Sequence, residues 1–277
     1  MRPIHFITIF LALALVAILY FGVKNTPPKI VASTQAADSM NHTVHPASFD
    51  SLLSAANREL PAHAKAEIST LEKRLSAISD SSKMAVVFDT LARLWLQHKQ
   101  GPIAAQYFLQ EAKLVNSEKK LTFAAQLFLE LARKSKSESM QTWMGQQAIE
   151  GFKRALQLNP NNDTLKVDLA ECFIGTGETM QGVLMLREVT EKHPDNIPAN
   201  LILGQQGIVS GQFDKAIARF DRVLGQQPEN MEALLGLAEA YKGSGQKQKA
   251  LELLEKAKKL MNNPEFSKDI DDYIKTF

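Results

Sequence analysis

The sequence predicts an all-α protein built from stacked pairs of helices. Between residues 163 and 264 the chain repeats itself with a period of about 34 residues. Three sets of residues stand at this spacing: Pro160, Pro194 and Pro228; Gly177, Gly211 and Gly245; and Leu169, Leu203 and Leu237. A fixed period of this length is the signature of a repeat array. Aromatic residues make up 7% of the chain and β-branched runs are few, which favours helix over sheet.

Each repeat consists of two amphipathic helices, as the unit 197–230 illustrates. Gly211 ends the first helix, because glycine accepts the backbone angles that terminate helices. The second helix places apolar residues at three- and four-residue spacings, at Ala216, Ile217, Phe220, Val223 and Leu224. Pro228 then ends it, because proline cannot continue the backbone hydrogen-bond ladder. The small residues Gly204 and Ala216 stand where the two helices must approach closely.

This pattern resembles the tetratricopeptide repeat, a helix-turn-helix unit of about 34 residues. Three units follow one another in register, at 163–196, 197–230 and 231–264. The resemblance implies a right-handed α-solenoid. The sequence departs from the family at Lys166 and Asn200, where the family prefers an aromatic residue, and at Gly207, where it prefers tyrosine.

The flanking segments extend the array in both directions. Residues 48–83 predict two amphipathic helices, and residues 84–162 predict two degenerate units with Gly101 at the first turn. The second of these units carries an insertion near 136–145, so that its second helix is Gln146–Leu158. We predict that Trp143, in or beside the insertion, packs over the array; the alternative is an exposed contact point. Residues 265–277 predict a helix that caps the apolar flank of the last repeat.

The amino-terminal residues predict a membrane anchor. After a short segment, 1–3, residues 4–23 are almost entirely apolar, and twenty helical residues span about 30 Å. We predict an uncleaved, single-pass inner-membrane anchor with periplasmic repeats, although the flanking charges do not fix the orientation. The alternative is a cleaved signal peptide and a secreted or periplasmic product. The Pro- and Ser-containing stretch 24–47 predicts a flexible linker.

Composition argues against several classes of function. The net charge of +2 provides no electrostatic footprint for nucleic acid. The single cysteine, Cys172, cannot form an internal disulfide and has no cluster of metal ligands around it, so we predict a buried or half-buried structural residue. The six histidines are scattered, and no Gly-rich phosphate loop is present. We therefore predict no enzymatic activity, no cofactor, no metal and no small-molecule substrate.

By the same resemblance, the first helices line a concave groove that holds peptides or helices of partner proteins. The predicted groove residues form three columns: Val167, Leu201 and Leu235; Glu171, Gln205 and Glu239; and Ile174, Ile208 and Lys242. Apolar walls with acidic spots suit an apolar peptide that carries Lys or Arg. For Val167 and Leu235 the alternative is packing between helices. The family's Lys, Asn and Arg clamp for a terminal carboxylate is missing at the matching places.

These observations leave two hypotheses for the function, and a third, a cytoplasm-facing adaptor, requires the reversed topology. The first is a membrane-tethered scaffold in the bacterial envelope that binds partner proteins, in an assembly or chaperone-accessory role. The second is a structural envelope component that associates with itself through the terminal helix and has no peptide ligand.

Overall fold

Thirteen α-helices follow one another in residues 48–277, the part of the chain that the computed structural model describes. In chain order they are α1 (Phe49–Glu59), α2 (Ala62–Ala77), α3 (Ser81–Gln97), α4 (Gly101–Val115), α5 (Glu118–Lys134), α6 (Glu138–Leu158), α7 (Asp163–Gly175), α8 (Thr179–Lys192), α9 (Ile197–Val209), α10 (Phe213–Gln226), α11 (Met231–Gly243), α12 (Lys247–Met261) and α13 (Pro264–Ile274). The predicted anchor, 4–23, and linker, 24–47, lie outside the described residues. None of the helices in residues 48–277 combines the length and hydrophobicity that a membrane crossing requires.

Helices α3 to α12 form five consecutive helix pairs, which confirms the predicted array. Within each pair the two helices pack along each other, and the second helix also packs against the first helix of the next pair. The first helices of the later pairs are also in contact, because α9 touches both α7 and α11. This is the arrangement of a tetratricopeptide solenoid, in which each unit contacts only its neighbours.

The helix N-caps and the turns of the three regular units also recur at the repeat spacing. Asn162, Asn196 and Asn230 cap α7, α9 and α11, and each side-chain oxygen accepts a hydrogen bond from the backbone N–H three residues later, at 2.9–3.2 Å. The turn glycines Gly177, Gly211 and Gly245 have φ values of 92°, 69° and 80°. This left-handed conformation favours glycine, which explains their regular spacing.

The turn between α3 and α4 differs from the prediction. Gly101 does not make this turn but is the first residue of α4. Lys99 instead adopts the left-handed conformation, with φ 60°. A Cβ atom added to Gly101 would lie 3.0 Å from a methyl carbon of Leu131, so this glycine allows α4 to approach α5 closely.

The predicted insertion near 136–145 is largely helical. The second helix of this unit begins at Glu138 rather than Gln146, and only residues 135–137 separate it from α5. Ser137 caps the helix by accepting a hydrogen bond from the Met140 backbone N–H at 3.4 Å. Trp143 is 7% exposed and packs edge-on against Phe128, with 5.6 Å between the ring centroids. This confirms the packing prediction for Trp143, and the extra residues lengthen α6 at its amino-terminal end.

The core runs along the array instead of forming one central ball. One cluster of buried side chains extends from Ala56 in α1 to Phe173 in α7, and three smaller clusters follow it through α7–α13. At the carboxyl end, Ile270 of α13 is buried against Ala250 and Leu254 of α12. Helix α13 therefore packs on the flank of the last repeat.

Candidate functional site

The nine predicted groove residues lie on three consecutive first helices, α7, α9 and α11. Each helix contributes three of them: Val167, Glu171 and Ile174; Leu201, Gln205 and Ile208; and Leu235, Glu239 and Lys242. Because α9 contacts α7 and α11, the fold brings these residues to neighbouring positions. We call this surface the first-helix face.

Most apolar members of the first-helix face belong to the core. Val167 is 5% exposed and Leu201 is 9% exposed, and each packs inside a hydrophobic cluster. Ile174, Ile208 and Leu235 are half-buried and pack against the same series of clusters. For Val167, packing between helices is thus the observed arrangement. A ligand on this face would meet the rims of the three half-buried side chains.

Glu171 is engaged by an arginine from the preceding unit. The Arg133 Nε donates to Glu171 Oε1 at 2.7 Å, and a second guanidinium nitrogen donates to the other carboxylate oxygen. This hydrogen bonding with Glu171 raises the pKa of Arg133 above its usual range. Nearby, Gln126 Nε2 donates to Asp168 Oδ2 at 3.0 Å. These contacts tie α5 to α7, so Glu171 is part of the framework and is neutralised by its partner.

Sequence reasoning missed the role of Arg133 in this pair. It lies 38 residues before Glu171, on the first helix of the degenerate unit. No spacing signal pointed to it, because the extra residues of this unit break the 34-residue spacing between α5 and α7.

Lys242 is engaged by the carboxyl end of the chain. Its Nζ lies 4.1 Å from the centroid of the Tyr273 ring and 4.7 Å from that of Phe277. The same nitrogen donates to Thr276 Oγ1 at 2.9 Å. These cation–π contacts and this hydrogen bond hold the end of the chain over Lys242.

Two polar residues of the face therefore stand out. Gln205 is exposed, and Glu239 is half-buried and forms no ion pair with any residue in the range 48–277. They stand one repeat apart, at equivalent positions of α9 and α11. The half-buried Ile208 and Leu235 flank them along the same two helices.

Cys172, next to Glu171, is buried as predicted, with 2% of its surface exposed. Burial, with smaller contributions from Glu171 and Asp168, raises the pKa of its thiol to about 12. A thiol in this environment stays protonated and is a poor nucleophile at neutral pH. No group of three or more His, Cys, Asp or Glu side chains in residues 48–277 has a geometry that could hold a metal ion.

A second surface, which is concave, lies on the other side of α9, and the sequence did not indicate it. It is a groove of about 940 Å³ between α8 and α10, and its floor consists of Leu203, Gln206 and Gly207 of α9 and of Ser210, the residue that follows α9. At 100° per residue, these four positions lie about half a turn of the helix away from Leu201, Gln205 and Ile208. One helix thus supports the first-helix face on one side and this outer groove on the other.

Comparison with known proteins agrees with the repeat geometry. A family model described as "Tetratricopeptide repeat" matches residues 145–205 and 209–268. No curated protein sequence matches the chain.

Several solved structures share the fold. The crystal structure of PilW, described as a widely conserved type IV pilus biogenesis factor, aligns with a TM-score of 0.53 and 14% identity. The alignment covers 80% of this chain and 97% of PilW. MamA from Desulfovibrio magneticus RS-1, residues 41 to the end, aligns with a TM-score of 0.51 and 17% identity, over 64% of this chain and 95% of MamA. At these identities the likeness is one of fold. The helix pairs, their contacts and the family match agree on tetratricopeptide repeats in residues 145–205 and 209–268.

Proposed function

We propose that this protein is a scaffold that binds peptide or helical segments of partner proteins on the first-helix face. The observation that supports this proposal is the pair formed by Gln205 and Glu239. Both are polar and stand at equivalent positions of adjacent helices, and Glu239 lacks an ionic partner in the described part of the chain. The apolar rims of Ile208 and Leu235 lie beside them.

The chemistry of this face favours a particular kind of partner. A half-buried carboxylate without a partner is stabilised by a cationic group that arrives with the ligand. The apolar rims give additional contact area to Leu-like or aromatic side chains. The proposed ligand is thus an apolar segment that carries Lys or Arg. With Glu171 neutralised by Arg133, Glu239 is the principal acidic spot.

We further propose that residues 4–23 anchor the protein in the inner membrane and that the repeats act in the envelope, in the assembly of other proteins. The apolar length of that segment supports the anchor. A biogenesis factor of type IV pili has a similar fold, which is a precedent for an assembly role on this architecture. The likeness supports the fold, and the role itself rests on the binding proposal.

Charge reversal at Glu239 tests the proposal. Proteins that co-purify with the full-length chain after cross-linking in cells are compared, by quantitative mass spectrometry, between the wild type and Glu239→Lys. We expect the main partner to fall by about tenfold or more, because the new ammonium group repels the ligand's cation. The matched control is Glu67→Lys, an exposed position on α2 that makes the same charge change. Loss in both variants, or in neither, contradicts binding at this face.

Light scattering of the purified full chain addresses the self-association hypothesis. A monomer has a mass of 30.7 kDa. We expect this mass for the protein component, because the apolar side of α13 already packs against α12. A larger mass that does not change in Glu239→Lys would favour the structural, self-associating component.

A further inference from the structure

The outer groove between α8 and α10 carries a cluster of positive charges. Arg187 projects from α8, and Lys215, Arg219 and Arg222 project from α10. Glu191 is the one carboxylate among the described residues that line the groove. Within residues 48–277, none of the four cations forms an ion pair, with Glu191 or with any other acid. Four cations thus face one concavity that contains a single carboxylate, and none of them is paired with it.

The arginines are close enough to affect one another. Burial, followed by repulsion from Arg222 and Arg187, lowers the pKa of Arg219 below its usual value. An arginine stays protonated despite such a shift, so the repulsion persists at neutral pH. An anionic ligand would relieve it.

A buried amide holds Arg219 in position. Asn200 is fully buried, and its Nδ2 donates to the carbonyl oxygens of Pro194 and Asn196 at 2.7 and 2.8 Å. Its Oδ1 accepts a hydrogen bond from Arg219 Nη1 at 3.0 Å. Arg222 Nη1 donates to the same Pro194 carbonyl at 3.3 Å. Neutral oxygen atoms therefore hold both guanidinium groups, that of Asn200 on α9 for Arg219 and that of Pro194 in the preceding loop for Arg222.

Both departures of this unit from the repeat pattern contribute to the groove. Asn200 and Gly207 stand where the repeat family prefers aromatic residues, two helical turns apart on the same side of α9. Asn200 positions Arg219, and Gly207 forms part of the floor with bare backbone. A Cβ atom at Gly207 would lie 3.1 Å from that of Ala216, so a tyrosine could not be placed there without moving α10.

The groove also presents apolar side chains to solvent. Met180 is 72% exposed and Val209 is 73% exposed, and both line it together with Val183 and Leu203. Exposed apolar side chains beside unpaired arginines are characteristic of a protein-binding site, where aromatic, Met and Arg residues are enriched.

We propose that the outer groove is a second binding site, which takes an acidic peptide segment of a protein partner. Carboxylates of the peptide pair with Arg187, Arg219 and Arg222, whose planar donor groups match carboxylates in two-point contacts. Apolar side chains of the same segment pack on Met180 and Val209. The concave shape of the outer groove favours a peptide over a membrane. An extended peptide can lie along the groove, whereas a flat bilayer would contact only its rims. The site is separate from the first-helix face and takes ligands of opposite charge.

Selection from a random peptide library displayed on phage tests this proposal. The immobilised full-length chain is the target. We expect enriched peptides to combine Asp or Glu with apolar residues. The double variant Arg187→Glu/Arg222→Glu should bind them at least about tenfold more weakly, because charge-assisted contacts are lost. The neutral double variant Arg187→Gln/Arg222→Gln should show a smaller loss, and it keeps the test valid if charge reversal impairs folding.

The matched control is Lys73→Glu/Arg74→Glu, which changes the net charge equally at exposed positions of α2. It should bind the selected peptides as the wild type does. An empty selection, enrichment without acidic residues, or equal binding by the neutral variant overturns the proposal. So does groove-dependent binding to vesicles of anionic phospholipid in place of peptides. Glu239→Lys should leave peptide binding unchanged, so the outer groove and the first-helix face can fail separately.

Discussion

At the residue scale, two close helix contacts depend on glycines that face one aromatic ring. Phe220 of α10 is almost completely buried between α9 and α11. A Cβ atom at Gly204 would lie 2.7 Å from its Cζ, and one at Gly236 would lie 2.5 Å from it. The repeat pattern predicted the close approach at Gly204. It could not indicate Gly236, because the position one repeat after Gly204 is Ala238.

This contact gives a prediction for Gly236→Ala. Alanine is the better helix former by about 1 kcal/mol, yet we expect the variant to be less stable by roughly 1–3 kcal/mol, because the added methyl group displaces the rigid Phe220 ring. Gly225→Ala in α10 is the control, since nothing lies within 4 Å of its Cβ position. It should gain about 0.4–1 kcal/mol. Urea unfolding measures both, and a gain in both variants would contradict the packing role of Gly236.

At the element scale, α6 shows how helix boundaries follow from caps and packing together. The segment 136–145 contains Ser and Lys residues that interrupt the repeat register, and for this reason the sequence predicted an insertion. In the structure Ser137 caps a helix at that point, and Trp143 and Met144 are buried. The apolar face of α6 begins earlier than the repeat pattern does, and its burial against α5 extends the helix.

Trp143→Ala tests this account of α6. We expect a loss of about 3–5 kcal/mol in the free energy of unfolding, because the edge-on contact with Phe128 is replaced by a cavity. Trp143→Phe, which keeps an aromatic ring, should lose clearly less. Denaturant unfolding followed by circular dichroism gives both values. Near-equal stability of Trp143→Ala and the wild type would show that the amino-terminal end of α6 is not anchored by packing.

The two sides of helix α9 belong to different surfaces, with Gln205 and Ile208 on one side and Leu203 and Gly207 on the other. The residues that break the repeat pattern, Asn200 and Gly207, belong to the side of the outer groove. At these two positions the missing aromatic side chains leave volume and hydrogen-bonding groups that contribute to the outer groove.

At the scale of the whole molecule, stability is distributed along the array because units contact only their neighbours. The long core cluster from Ala56 to Phe173 holds the largest buried side chains of α3, α5, α6 and α7, among them Trp95, Phe128 and Phe152. The clusters that follow it are smaller. Local unfolding that begins at the carboxyl end of the array therefore disrupts fewer buried contacts than local unfolding that begins in the middle.

Hydrogen exchange measures this gradient directly. We expect the slowest amide exchange in α3–α7 and faster exchange in α11–α13. Ile270→Ala removes the buried side chain of α13 and should raise exchange in α11–α13 while leaving α3–α5 unchanged. The counterpart Ile68→Ala, at a buried position of α2, should give the reverse distribution. A uniform rise in all helices for either variant would show that the array unfolds as one cooperative unit.

The helix pairs of the regular units follow from short-range signals in the amino-acid sequence. Turn glycines such as Gly211, helix-ending prolines such as Pro228 and apolar spacings such as those around Phe220 act on their own neighbours in the chain. Their effects therefore recur at a fixed period, and they located the pairs α7/α8, α9/α10 and α11/α12. The same reasoning weakened where the register broke, at Gly101 and before Gln146.

The properties of the surfaces follow from how the units stack. Arg133 neutralises Glu171 from a neighbouring unit, the chain end covers Lys242, and Arg187 meets Arg219 and Arg222 across the outer groove. The physical reason is that such contacts depend on distances between stacked units, which a period along the chain does not encode. The attraction between two exposed charged groups weakens within a few ångströms. The packing of the units therefore determines whether a charged side chain has a partner.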